Sequence, residues 1–308
     1  MKTRLVSGLV ITAFCVVCGL TAGVPLGAVL LFCSLVGYYE LARALKVHGY
    51  TFAQVNEESL KNGEHLLSEN GQKINGLEIA DMIWIAAFYV LLMVLSFTQD
   101  ATMYVRHANM LTVLVLFGVF FTNMVIYVAS FPKYHADQVI DATFAFLYAP
   151  VMLSCVYRAE YLPYGIWVYA LVFLCSWICD TCAYCAGKLF GKHHVAPILS
   201  PKKTLEGCIG GVAGSVITCL LEALILHALA PETDFAPAFM VIGFCGSIIS
   251  MFGDLAASAI KRNHGIKDYG KLIPGHGGIM DRFDSVIFTA PVIYYLGVLF
   301  LTVLNTPV

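Results

Sequence analysis

Charge is what this chain has least of. Only 12% of its 308 residues are Asp, Glu, Lys or Arg, against roughly 25% in an ordinary soluble domain, and 59% are hydrophobic. That composition cannot cover a water-facing surface; the net charge of −2 says little about partners with so much of the chain in lipid, and no nucleic-acid partner is expected. Motifs are missing too. There is no Gly-x-Ser-x-Gly elbow, no His-Glu-x-x-His zinc motif and no Walker lysine loop. No internal repeat is visible, whereas a transporter built from inverted repeats shows matched broken segments in its two halves. The eleven cysteines are odd in number and scattered through apolar runs, which is no disulfide framework.

What the chain has instead is hydrocarbon-length runs. Segments near 5 to 22, 25 to 45, 79 to 97, 109 to 129, 139 to 157, 164 to 180, 206 to 229, 237 to 260 and 285 to 304 are each apolar over about 20 residues, enough to cross a bilayer core. The fold class read from them is an all-α polytopic membrane protein with about nine transmembrane helices. The first run follows Lys2 and Arg4 as a signal peptide would, but it leads through Pro25 straight into a second run without a clear small-x-small cleavage site, so it is kept as a span. With the N-terminus in the cytoplasm, sixteen of the eighteen Lys and Arg face that side, all but Arg106 and Arg158, as positive charge on membrane proteins does. A cell (inner) membrane location with polar loops facing the cytoplasm follows as an expectation.

The chain divides at about residue 157. Residues 1–157 hold spans with almost no ionisable group at depth, plus a polar loop near 46–78 expected to be cytoplasmic and to carry one short helix. Residues 158–308 have acids and bases at every cytoplasmic boundary, so any chemistry is expected between 176 and 285.

Three stretches there carry the signal. In "ICDTCAYCAGKLFGK", Cys179, Cys182 and Cys185 recur every three residues, but an iron–sulfur cluster needs a fourth thiolate and the next cysteine is Cys208. Apolar packing is the better reading of the thiols. Asp180 is the informative residue, because a carboxylate at the end of a span faces a hydrated cavity or a partner; Gly187 and Gly191 are expected to loosen the backbone beside Lys188 and Lys192.

In "SPKKTLEG", Pro201 favours a turn, Lys202 and Lys203 can neutralise phosphate oxygens, and Thr204 enters a helix whose N-terminus favours anions. Two lysines at a membrane surface are otherwise topology signals or headgroup contacts.

The third stretch, "GDLAASAIKRNHGIKDYGKLIPGHGGIMDRFDS", is the strongest. Asp254, Ser258 and Lys261 share one helix face, with Asp254 about 10 Å inside the span. A lone aspartate there costs roughly 2.5–3.5 kcal/mol on insertion scales, so a positive partner is required: a divalent cation, or, as the plainer alternative, a buried pair with Lys261. Gly275, Gly277 and Gly278 allow backbone amides to approach an anion, with Asp281 following. Carboxylates for a metal, cations for phosphates and a glycine loop together form the inventory of phosphoryl or nucleotidyl transfer.

The run "SAIKRNHGIKDYGKLIPGHGGIMDRFD", Ser258 to Asp284, resembles the signature of the phosphatidate cytidylyltransferases, with Ser-x-x-Lys-Arg, Lys-Asp, His-Gly-Gly and Asp-Arg-x-Asp elements in register. The two preceding stretches resemble that family's earlier motifs. Small or aromatic residues tend to stand there where this chain has Cys182 and Cys185. The resemblance implies transfer of CMP from CTP to phosphatidic acid, giving CDP-diacylglycerol and pyrophosphate, with Mg²⁺ and a homodimer. It implies Asp254 and Asp281 as metal ligands, with Asp180 and Asp268 as nearby acids. Lys202, Lys203, Lys261 and Lys267 would serve phosphates, Ser200 and Thr204 would form hydrogen bonds, and Ser258, Arg262, His276, Gly277, Gly278 and Arg282 would complete the substrate site. His276 reads equally well as a structural turn residue. Two other functions fit the same inventory less fully: a CTP-dependent transferase acting on another lipid phosphate, and an ion-coupled transporter using Asp254 and Glu222. Glu222, inside the seventh run, belongs to no motif.

Overall fold

The computed structural model describes residues 2–47, 50–52, 67–69, 74–98, 100–273 and 277–303. Nine helices account for nearly all of them: α1 (Lys2–Thr21), α2 (Gly23–Ala44), α3 (Gly76–Leu95), α4 (Ala101–Ala129), α5 (Ala136–Ala159), α6 (Gly165–Phe190), α7 (Leu205–Leu229), α8 (Ala236–Asn263) and α9 (Met280–Thr302). Each overlaps one of the nine apolar runs, and α2 to α9 are all long and apolar enough to cross a membrane. This is an all-α polytopic membrane protein.

Helix starts are set by local chemistry. Asn75 and Glu78 form a capping box at α3, and the Asp100 carboxylate accepts from the Thr102 and Met103 amides at α4, so α4 begins eight residues before its apolar run. Two helices are interrupted by π turns. One is Leu147–Val151 in α5, where Pro150 supplies no amide; the other is Leu174–Ile178 in α6, directly before Cys179 and Asp180. Two small antiparallel ribbons complete the described fold: β1 (Tyr50–Phe52) on β2 (Leu67–Glu69), and β3 (His194–Ala196) on β4 (Ser200–Thr204). The short helix expected within 46–78 lies outside the described residues.

The packing corrects two sequence expectations. Gly187 does not loosen the backbone; it lies within α6, which continues ten residues past its apolar run. There Gly207, Gly210, Gly211 and Gly214 of α7 meet Ala183, Ala186, Cys179 and Cys182 of α6 so closely that any added Cβ would collide. Small residues let two helix backbones touch in lipid, where packing rather than hydrophobicity drives association. Cys179 and Cys182 belong to that contact.

The second correction concerns the N-terminal spans, expected to hold almost no ionisable group at depth. Glu40 of α2 and Asp81 of α3 are both buried. Asp81 is satisfied inside the bundle by the Tyr38 hydroxyl at 2.7 Å and the Asn123 amide at 3.0 Å. Glu40 has a different use.

Candidate active site

The site lies where the C-terminal parts of α2, α6 and α8 meet β4 and the first turns of α7 and α9. Each element contributes for a local reason. The β4 strand runs straight into α7, with the Thr204 hydroxyl accepting from the Gly207 amide at 3.2 Å as the N-cap. Thr204 is therefore buried and capping, with Lys203 immediately before it aimed at α8. Lys203 Nζ donates to Asp254 Oδ2 at 3.0 Å and to the Met251 carbonyl at 3.1 Å.

A second lysine–aspartate pair follows, and it crosses the sequence alternative considered for Asp254. Lys261 does not reach back along its own helix, because seven residues are two turns. It turns to α9 and pairs with Asp281, Nζ to Oδ1 at 3.0 Å, under the ring of Tyr269. Asp281 is the most enclosed of the four partners, its side chain 3% exposed. Its other oxygen accepts from the amides of Tyr269 at 2.8 Å and Gly278 at 3.0 Å. Both carboxylate oxygens are thus held by protein donors. Asp281, which the resemblance implies as a metal ligand with Asp254, is bonded here to the loop between α8 and α9.

That loop has a third anchor which sequence reading missed. Glu40 Oε2 accepts from the Met280 amide at 2.9 Å, and a Cβ on Gly278 or Gly270 would lie 2.2 or 2.0 Å from the Glu40 carboxylate. The glycines are needed there because a buried carboxylate from α2 fills the space a side chain would take. The amides of this glycine loop therefore bind two of the protein's own carboxylates. Burial pushes the Tyr269 phenol above its usual range, and its hydroxyl donates to the Ala257 carbonyl at 3.0 Å, tying the loop to α8.

Among the acids, Asp284 is the one that joins Asp254. A Cβ on Gly253 would lie 2.9 Å from the Asp284 carbonyl, so α8 and α9 touch at the residue before Asp254. Asp180, on α6 after its π turn, completes the group. Asp180 lies within electrostatic range of Asp254, Lys203 and Arg282, and Asp284 within range of Asp254, Lys261 and Asp180. The Asp254 side chain is 36% exposed and Asp180 is exposed, so neither is sealed inside the bundle.

The remaining expected site residues are spread around this centre. Lys202, Arg262, Lys267 and Asp268 are exposed at the rim, Ser200, Ser258 and Arg282 are half-buried, and Gly277 and Gly278 lie in the loop. His276 lies outside the described residues. Beside the loop, an apolar cavity of about 440 Å³ runs from Ile273, Ile279 and Phe283 along α2 past Cys33 to Leu26, with Tyr169 and Phe173 of α6 and Cys15 of α1 closing it.

The donor set suits a shared cation better than a cage. Among the described residues no three His, Cys, Asp or Glu side chains close on a single point. Magnesium does not need that; it keeps several waters and takes one or two carboxylates plus substrate phosphates.

This geometry fits the comparison with known proteins. The sequence model of the family described as "Cytidylyltransferase family" matches residues 69–300. The chain belongs to the cytidylyltransferase family. Within that family it resembles the phosphatidate cytidylyltransferases of Synechocystis sp., 47% identical over 146 residues, and of Staphylococcus saprophyticus, 39% identical over 161. The matches cover 47% and 51% of this chain, and 48% and 59% of those relatives. The chain thus spans about half the length of these two. The Thermotoga maritima phosphatidate cytidylyltransferase is 34% identical over 208 residues, 67% of this chain and 76% of that protein. The family match takes in the π turns, both lysine–aspartate pairs and the glycine loop, but begins after Glu40.

Proposed function

We propose that this protein transfers CMP from CTP to phosphatidic acid, releasing pyrophosphate and forming CDP-diacylglycerol. The observation that carries the reading is the grouping of Asp180, Asp254 and Asp284 at one open end of the helix bundle, with Lys203 and Lys261 at its edges, in a chain of this family.

In this reaction the attacking group is already ionised, so no serine or cysteine nucleophile is required. A lipid phosphate oxygen forms a bond to the α-phosphorus of CTP as the bond from that phosphorus to the bridging oxygen of the β-phosphate breaks, and pyrophosphate leaves with those electrons. Positioning and charge neutralisation do most of the work. Lys203 and exposed Lys202 on β4 would meet triphosphate oxygens, with exposed Lys267 and Arg262 as further cations for them. Asp254 and Asp284 would hold Mg²⁺, with Asp180 beside them; the ion supplies Lewis-acid neutralisation of the phosphates. The apolar cavity beside the glycine loop gives an acyl chain a path from bilayer to site.

The accompanying readings belong to the same proposal. The active end faces the cytoplasm of a bacterial inner membrane, supported by the excess of Lys and Arg on that side, and the protein works as a homodimer. The test is product analysis of the full-length protein in mixed micelles with CTP and Mg²⁺, offering phosphatidic acid and an isoprenoid ether lipid phosphate separately. CDP-diacylglycerol with equimolar pyrophosphate is the expected result. Turnover of only the ether lipid would replace the acceptor, and no turnover of either would overturn the activity.

A further inference from the structure

One buried group near the acids has no place in the chemistry above. Tyr148 lies in the π turn of α5, in the N-terminal part of the chain, 3% exposed. Its hydroxyl is buried and has no hydrogen-bond partner among the described residues. A phenylalanine would fill the same space without stranding a polar atom, so packing alone gives no reason for the oxygen.

Two rings hold the Tyr148 ring: it packs edge-on against Phe288 of α9 at 5.4 Å between centroids, and against Phe144 of its own helix. Phe288 is one turn beyond Asp284, and its Cβ stands against Gly253, the residue before Asp254. The stack therefore carries the Tyr148 ring to the α8–α9 contact where the acids lie. Asp284 and Asp254 both lie within electrostatic range of its hydroxyl. A π turn shifts the register of a helix by one residue, and such turns recur at functional sites.

We propose that Tyr148 is a positioning residue of the acidic site: its hydroxyl donates to the Asp284 carboxylate when that carboxylate engages a divalent cation, fixing the rotamer in which Asp284 and Asp254 act together. This rests on the cytidylyltransferase reading for its consequence in turnover, but not for its consequence in cation binding. Tyr148 would then join the N-terminal helices to the site in a second place, beside Glu40.

The experiment uses full-length protein in detergent, wild type and Tyr148→Phe, with Mn²⁺ as probe. Free Mn²⁺ is titrated by electron paramagnetic resonance, melting is followed without divalent ions, and turnover is measured against Mg²⁺ and CTP. In Tyr148→Phe, half-saturation by Mn²⁺ and by Mg²⁺ should rise about tenfold, the loss of one hydrogen bond to a charged group. The KM for CTP should stay within about twofold, and melting should be unchanged or higher because the orphan oxygen is gone. Unchanged Mn²⁺ binding overturns the proposal. Lower melting without any cation also overturns it, by making the hydroxyl structural. If wild type turns over no lipid phosphate, the activity reading fails while the Mn²⁺ titration still decides the role of Tyr148.

Discussion

Lys203 and Asp254 lie 51 residues apart in the chain and 3.0 Å apart in the fold. The pair closes one side of a site whose other side is Lys261 with Asp281, also at 3.0 Å. The two look alike in sequence, each a lysine and an acid near a membrane boundary, yet they differ in what surrounds them. Asp254 is open to the cavity, whereas Asp281 is enclosed by three donors.

That difference separates two substitutions. Asp254→Asn removes charge from an accessible carboxylate, so turnover should fall roughly 100-fold or more with the melting temperature nearly unchanged. Asp281→Asn strands Lys261 and frees the glycine loop, and breaking a buried pair costs about 3–5 kcal/mol, so both melting temperature and turnover should fall. Parallel melting curves and initial rates test this; equal melting temperatures for the two variants would contradict it.

Glu40 should behave as a loop anchor although it lies outside the matched family region. Glu40→Ala leaves the Met280 amide without its acceptor and a space beside Gly270 and Gly278, at a cost of about 1.5–3 kcal/mol for a hydrogen bond to a charged group. Glu40→Gln keeps an acceptor and should recover part of that loss. Thermal melts of the three proteins read the order wild type, Gln, Ala.

At the connection between α5 and α6, burial pushes the Glu160 carboxyl up from 4.5 to about 7, and its Oε2 has no partner among the described residues. The folded state therefore holds a proton that the unfolded chain releases at lower pH, so this group's contribution is intact below about pH 4.5 and is lost as pH rises towards 7. Glu160→Gln should flatten that decline and melt higher than wild type at pH 8. Melting temperatures from pH 5 to 8 check it.

The three closely spaced cysteines should be dispensable as thiols. Cys182→Ala fits the contact with Gly214 of α7 and should leave turnover within about twofold, whereas Cys182→Leu should destabilise by the about 1–3 kcal/mol of overpacking. A metal-dependent loss on alanine substitution would contradict the packing role.

Much of this was legible in the sequence, for physical reasons. Span positions are written in composition, because hydrocarbon tolerates little else over 20 residues. Asp180, Lys203, Asp254 and Lys261 stood out because charge at a span boundary is costly without purpose. Pairing was not legible: which lysine meets which aspartate depends on how α8 meets β4 and α9, and spacing along one helix points Lys261 at the wrong acid. Glu40 and Tyr148 escaped for another reason. Each sits in an otherwise ordinary apolar helix, and only the fold shows that one fills the space left by two glycines and the other packs its ring on Phe288, one turn beyond Asp284. Of the glycines read as a cradle for an anion, Gly278 also makes room for Glu40 and donates the amide that holds Asp281, which spacing alone does not reveal.

The most direct measurement is incorporation of radiolabelled CTP into organic-extractable lipid by full-length protein with phosphatidic acid and Mg²⁺, for wild type and Asp254→Asn at equal abundance and equal melting temperature. Mg²⁺-dependent incorporation by wild type that disappears in Asp254→Asn is the expected result. Undiminished incorporation by Asp254→Asn would remove Asp254 from the reaction and, with it, the acidic centre on which this account is built.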